Sequence, residues 1–368
     1  MHSLVLMLLL GLLGFLVTTA LVPMAKRLAR RYDIVSYPRG HSSHARPTPL
    51  LGGVPIWAAF ALAFVVYFPL VLAGLAPSKE PTPGQMLALF LGATWVMVLG
   101  VIDDKVHMSW SRKVLGQLVG VGILVLGGHT FEVATVPFVG LVSFGWLGIP
   151  IFALVVLTIT NAINLIDGID GLAGGICFFA ALVTGIIGLS KGDPFTAAIC
   201  FATAGGLVAF LRHNFPPASI FMGDAGSLML GFLLGTLAIS NAAPGTGQRS
   251  GTMLMIVAPF FPFGIALLDV FLSILRRALM GQKIFQGDTN HIHHRLMERL
   301  GRPRAVVSIL YAFSVMLSAI TLTLVLGPRE SFFTAYVALS GVVVCGLVIM
   351  VLRLYLTKGL PKIIENRP

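Results

Sequence analysis

Four polar stretches interrupt an otherwise apolar chain: DDKVHMS from Asp103, NLIDGIDGLAGG from Asn164, FMGDAGS from Phe221 and HIHHRL from His291. In the first, two adjacent acids are followed by Lys105, Arg112 and Lys113. Carboxylates beside cations suit divalent-metal and phosphate chemistry, because each group neutralises the charge of a different partner. The plainer alternative is an Asp-Asp pair that ends a helix and faces water. In the second, Asn161, Asn164, Asp167 and Asp170 recur at every third position. Each step of three falls about 60° short of a full helical turn, so an ideal helix would carry the first and last on opposite sides. The four converge only if the segment tightens or opens, which Gly168 and Gly171 permit.

In the third stretch the prolines of NFPPAS stop one helix and a Gly-Asp-x-Gly-Ser turn opens the next. Asp224 then stands where helix N-terminal amides point, a good place for a phosphate bridged through a metal ion. Read as structure alone, Asp224 is an N-cap worth about 1 kcal/mol. The fourth stretch places His291, His293, His294 and Arg295 within five residues. His-x-His-His resembles a transition-metal ligand set, yet no cysteine completes a site of known spacing, and a phosphate-binding loop fits better.

The elements that position these groups must lie in lipid. The chain is 57% hydrophobic and only 11% charged, which no soluble domain with one buried core supports. Eleven apolar segments stand out, near residues 4–24, 52–76, 86–102, 114–128, 146–161, 172–189, 194–211, 225–240, 252–275, 305–327 and 332–352. The expected fold is an all-α integral membrane protein with about eleven transmembrane helices, forming a single polytopic domain over 1–368. A cleaved signal peptide is the competing reading of the first segment. The basic cluster KRLARR follows the run instead of preceding it, favouring a retained helix with its N-terminus outside.

From that start, 21 of the 25 Lys and Arg residues fall on the cytoplasmic side, with the C-terminus, as the positive-inside rule requires. The net charge of +11 thus reads as topology and as attraction to anionic lipid or substrate, and nucleic acid is excluded as a partner. The same map puts Asp103, Asp104, Asp167, Asp170 and Asp224 at one face, where cytoplasmic loops and helix ends would build the active site. Asp269 falls inside the ninth span, lining a groove or pairing with a nearby arginine. Cys177, Cys200 and Cys345 stand alone in apolar surroundings and read as packing residues.

With HARPTPLLGG at residues 44–53 preceding them, these motifs in this order resemble the polyprenyl-phosphate N-acetylhexosamine-1-phosphate transferase superfamily. The likeness runs from about residue 25 to 305, and the His-Ile-His-His-Arg-Leu form is similar to the branch that transfers GlcNAc-1-phosphate to undecaprenyl phosphate. The resemblance implies attack of the lipid phosphate on the β-phosphorus of a UDP-N-acetylhexosamine, with UMP released and Mg²⁺ as cofactor, Mn²⁺ substituting. It implies a bacterial cytoplasmic (inner) membrane location, a role in cell-envelope polysaccharide synthesis, and compatibility with a homodimer.

Carried over by position, the resemblance makes Asp103 the group that deprotonates or orients the lipid phosphate, supported by Asp104. Asp224 becomes the principal metal ligand, with Asp167 and Asp104 beside it. Asn164, Asp167 and Asp170 would contact the nucleotide-sugar, while His291, His293, His294 and Arg295 grip its diphosphate or sugar. His44 and Arg46 would lie near the sugar-phosphate. A secondary transporter also has many spans and broken helices, but it would place its polar groups near the midplane and show related halves. CDP-alcohol phosphotransferases carry a different Asp-Gly spacing, and a noncatalytic scaffold would not need clustered acids.

Overall fold

The computed structural model describes residues 2–38, 47–74, 81–131, 133–136, 140–242, 258–279 and 292–326. Its helices are α1 (His2–Arg31), α2 (Gly53–Leu72), α3 (Pro83–Val106), α4 (Trp110–Leu126), α5 (Gly148–Ile166), α6 (Leu172–Lys191), α7 (Pro194–Asn214), α8 (Gly223–Ala242), α9 (Gly264–Leu279), α10 (Ile292–Leu300) and α11 (Pro303–Leu326). Among the described residues nine helical segments are long and apolar enough to cross a membrane, and α4 is a further apolar helix of 17 residues. The described parts of the first ten apolar segments read from the sequence therefore coincide with helices. The eleventh, 332–352, lies outside the described residues.

The protein is an all-α, multi-pass membrane protein apart from two small antiparallel pairs that hydropathy did not predict. One joins β1 (Val35–Ser36) to β2 (Thr48–Pro49), and the other joins β3 (Val133–Val136) to β4 (Gly140–Ser143). α8 is the central helix: 89% of its span is buried inside the protein, against 28% for α1. It packs against α2, α3, α5 and α6, while α1 lies along α7 at the periphery. Small residues allow the close approach of that outer pair, with Gly11 and Gly14 set against Ala202 and Gly205.

Helix ends are fixed by local chemistry. At the start of α3, the Thr82 hydroxyl accepts the Gln85 N–H (3.2 Å) and the Gln85 side-chain oxygen accepts the Thr82 N–H (2.8 Å), a capping box with Pro83 in the first helical position. The far end of α3 closes at His107, in the left-handed region with φ 51°, whose N–H donates to the Asp103 carbonyl (2.9 Å). α5 ends at Ile166 and α6 begins at Leu172, so a turn carries Asp167 and Asp170. That break falls where Gly168 and Gly171 permit one.

Candidate active site

Three helix ends meet around the first turn of α8. Asp104, in the last turn of α3, directs both carboxylate oxygens at that turn: Oδ1 accepts the Asp224 N–H (2.9 Å) and Oδ2 the Ala225 N–H (3.2 Å). It caps a helix 120 residues away in sequence, satisfying amides that have no partner within α8. The approach is possible because two positions lack a side chain. A Cβ on Gly100 would stand 2.4 Å from the Asp224 backbone carbonyl. One on Gly223, which holds φ +70°, would stand 2.1 Å from the Leu50 carbonyl oxygen and 2.5 Å from Asp104.

With α8 so placed, Asp224 faces Asp103 across an ammonium. Lys113 Nζ, from the first turns of α4, lies 2.6 Å from Asp103 Oδ2 and 2.5 Å from Asp224 Oδ2. The remaining oxygen of Asp103 accepts the Met108 N–H (2.6 Å), and that of Asp224 accepts the Asn164 amide (2.7 Å), which also reaches the Ser227 hydroxyl (2.9 Å). One turn further along α4 and α5, Gln117 and Asn161 exchange side-chain hydrogen bonds at 2.8 and 3.3 Å and hold the two helices in register. The Lys113–carboxylate bonds are charge-assisted and are the stronger ones, and one lysine between two carboxylates leaves net negative charge.

The turn between α5 and α6 completes the cluster. Burial, and then the carboxylates of Asp224, Asp104 and Asp170, hold the Asp167 carboxyl well above the usual carboxylate range. Among the described residues no donor reaches it. Asp170 faces the other way, its Oδ2 accepting the Ala218 N–H (2.9 Å) in the segment that leads to Asp224. Gly171 is pinned on both sides of its backbone: Asn214 accepts its N–H (2.9 Å), and Tyr311 from α11 donates to its carbonyl (2.5 Å). Arg304 donates to the Pro216 carbonyl (2.9 Å), so α11 braces both segments.

The structure thus brings together Asp103, Asp104, Asn164 and Asp224, with Asp167 in electrostatic range. Asp170 is given a backbone partner. His44, Arg46 and His291 lie outside the described residues. His293 and His294 belong to α10, but their side chains lie outside what the structure describes; Arg295 is half-buried on that helix. Asp269 is buried on α9, as are Arg276 and Arg277. Lys113 is the central residue that sequence reasoning did not single out, since it is one of three cations in the same short stretch.

The donor set suits a hard cation. It consists of carboxylate and amide oxygens, and Asp167 is an acid inside a field of other acids with no protein donor to satisfy it. Mg²⁺ is commonly held by one or two carboxylates together with waters and substrate phosphates, so the absence of a three-ligand cluster of His, Cys, Asp or Glu among the described residues is compatible with that ion. A carboxylate pair bridged by a single ammonium carries net negative charge, so such a cluster would hold two phosphates only together with a bound cation.

Comparison with known proteins agrees with this geometry. The profile of glycosyl transferase family 4 matches residues 86–242, which include every residue of the bridged cluster. A protein of Bacillus subtilis (strain 168), named probable undecaprenyl-phosphate N-acetylglucosaminyl 1-phosphate transferase, is 34% identical over 315 residues, covering 84% of this chain and 83% of its own. The decaprenyl-phosphate N-acetylglucosaminephosphotransferase of Mycobacterium tuberculosis (strain ATCC 25618 / H37Rv) is 30% identical over 93% of this chain and 88% of its own. The phospho-N-acetylmuramoyl-pentapeptide-transferase of Moorella thermoacetica is 32% identical over 70% of this chain and 79% of its own.

Proposed function

This chain belongs to glycosyl transferase family 4 and is a polyprenyl-phosphate sugar-1-phosphate transferase, and from that premise we propose that its donor is UDP-N-acetylglucosamine and its acceptor undecaprenyl phosphate. The observation that carries the reading is the Asp103–Lys113–Asp224 bridge, with Asn164 on Asp224 and the carboxylate of Asp167 in the same acidic field. Two anions must react here, and a site of alternating charge at a helix end positions them.

An oxygen of the prenyl phosphate forms a bond to the β-phosphorus of the nucleotide sugar. The bond from that phosphorus to the bridging oxygen breaks, and UMP leaves with the electron pair. A phosphate monoester has a second pKa of about 6 and is largely dianionic at neutral pH, so it needs no strong base. Asp103 therefore acts by orienting the acceptor and holding Lys113, whose ammonium offsets phosphate charge. Asp224 and Asp167 would hold Mg²⁺, which when bound neutralises the diphosphate and eases departure of UMP. Asp104 acts through α8, whose first turn it fixes. His291, His293, His294 and Arg295 bind the donor through phosphate or hydroxyl contacts, with His44 and Arg46 on the sugar-phosphate side and Asp170 bracing the turn.

The GlcNAc assignment rests on His-Ile-His-His-Arg-Leu and on the sugar named for two of the relatives. We place the protein in the bacterial cytoplasmic membrane, where both substrates meet. The test is UMP release by purified protein with undecaprenyl phosphate and Mg²⁺, offered UDP-N-acetylglucosamine, its galactosamine epimer or UDP-N-acetylmuramoyl-pentapeptide in turn. Turnover with the glucosamine donor alone supports the assignment; preference for the pentapeptide donor overturns it.

A further inference from the structure

We propose that Tyr311 and Arg304 of α11 are positioning residues for the metal site, holding the turn that carries Asp167 against the repulsion of the acids around it, a role that rests on Asp167 being a ligand. The two residues stand seven apart, two turns along one face of α11. Val307, Leu310 and Ser314 on that helix are buried, and α11 packs along α6. The Tyr311 hydroxyl donates to the Gly171 carbonyl (2.5 Å), and Arg304 Nε donates to the Pro216 carbonyl (2.9 Å). Gly171 lies four residues after Asp167, and Pro216 lies in the segment that leads to Asp224.

The tyrosine ring occupies a slot that a glycine leaves open. A Cβ on Gly175 would stand 2.1 Å from the ring, and Phe179 meets it edge-on with centroids 5.7 Å apart. The Gly171 carbonyl already accepts the Gly175 N–H (3.0 Å), so the hydroxyl takes its second lone pair. Other hydroxyls of α11 stay local: Ser314 and Thr323 donate to the Leu310 and Ala319 carbonyls, four residues earlier on the same helix (3.1 and 2.9 Å). Tyr311 instead ties α11 to a turn 140 residues away. That turn needs ties, because Asp167 stands in the field of Asp224, Asp104 and Asp170, and without a cation their repulsion favours a turn opened away from α8. Asn214 accepts the Gly171 N–H and donates to the Ile220 carbonyl (2.9 Å each), and Asp170 accepts the Ala218 N–H. Those bonds join the two loops to each other. Tyr311 and Arg304 fix both to a third helix, so the carboxylates are arranged before an ion binds and less ordering is lost on binding.

The experiment compares the full-length wild type with Tyr311→Phe, Arg304→Gln and Ser314→Ala in one detergent. Tyr311→Phe keeps the ring in its slot and removes the hydroxyl alone, whereas Ser314→Ala removes a buried hydroxyl of the same helix whose bond is local. Mn²⁺ binding is read by electron paramagnetic resonance, amide exchange over residues 167–175 by mass spectrometry, and UMP release as a function of Mg²⁺ concentration. Tyr311→Phe and Arg304→Gln should each weaken Mn²⁺ binding and raise the half-saturating Mg²⁺ concentration roughly fivefold, the equivalent of one net hydrogen bond, with kcat at saturating Mg²⁺ within about twofold of wild type. Exchange over the turn should quicken in both and keep the wild-type rate in Ser314→Ala. Unchanged Mn²⁺ affinity in both variants overturns the proposal, as does an equal loss in Ser314→Ala, which would mark a general loosening of α11. Mn²⁺ binding and amide exchange do not depend on the group transferred, so a wild type that releases no UMP defeats the transferase reading alone, while those two measurements still decide this one.

Discussion

The carboxylate of Asp104 caps the helix that begins at Asp224: its two oxygens accept the N–H groups of Asp224 and Ala225 at 2.9 and 3.2 Å. Adjacent acids in a sequence invite one shared role, yet here they divide the work. Asp103 turns toward Lys113, while Asp104 turns toward the backbone that sets where Asp224 stands. This geometry ties Asp104 to the backbone that carries Asp224, a positioning contact beside the direct ligation that the motif suggests.

Asp104→Asn tests that division. An amide keeps one acceptor and points a donor at an N–H group, a mismatch that costs about 1–3 kcal/mol when buried. Thermal unfolding should move down and turnover should fall, while the Mg²⁺ concentration at half-maximal rate stays near the wild-type value. Unchanged unfolding combined with a large rise in that concentration would instead make Asp104 a ligand.

Lys113→Gln should lower kcat by a factor on the order of 100, the scale seen when one preorganised electrostatic contact is removed from a reaction centre. The KM for the nucleotide sugar should change less. Lys113→Arg should rescue only in part, because a planar guanidinium does not occupy the compact position between Asp103 Oδ2 and Asp224 Oδ2. Wild-type kcat in the glutamine variant would remove Lys113 from the reaction centre.

Stability should depend on pH through His129, which lies at the opposite end of α3 and α4 from the catalytic cluster. It is buried, lies 3.0 Å from the Gln85 carbonyl through Nε2 and stacks on Phe152. Burial holds its pKa below the usual 6.5, so the unfolded chain takes up a proton at a pH where the folded protein does not. Stability present above 6.5 is therefore lost as pH falls from that value to the depressed folded one. The unfolding temperature of the wild type should drop between neutral and mildly acidic pH, and His129→Phe should flatten that drop. Parallel curves for the two proteins would show that His129 contributes nothing to it.

Much of this site was legible because carboxylates are rare in a chain this apolar. Asp103, Asp167 and Asp224 could be picked out by type, and Gly168 and Gly171 marked where the helix could open, although Asn161 and Asp170 find separate partners. Lys113 was not legible. Lys105, Arg112 and Lys113 have similar chemistry, and only the packing of α4 against α3 decides which one turns inward. The role of Asp104 was hidden for a related reason, since capping across 120 residues depends on the crossing of α3 and α8. Likewise, nothing in the apolar run of α11 indicates that Tyr311 reaches the Gly171 carbonyl, because a hydroxyl on a membrane helix can find many partners.

The division between Asp224 and Asp167 provides the last prediction. Asp224 already accepts hydrogen bonds on both oxygens, from Lys113 and Asn164, whereas no donor among the described residues reaches Asp167. Asp224→Asn removes the charge that Lys113 bridges, and its amide offers one acceptor where Lys113 and Asn164 both donate, so one of the two contacts is lost. The variant should remain inserted and folded yet lose Mg²⁺-dependent transfer at every Mg²⁺ concentration. Asp167→Asn removes a carboxylate from a crowded acidic field, which should raise stability in the absence of metal while weakening the apparent affinity for Mg²⁺. Activity in that variant should return in part as Mg²⁺ is increased. Near-normal turnover in Asp224→Asn would reduce Asp224 to a structural residue, and an Asp167→Asn protein with wild-type Mg²⁺ dependence would remove Asp167 from the metal site.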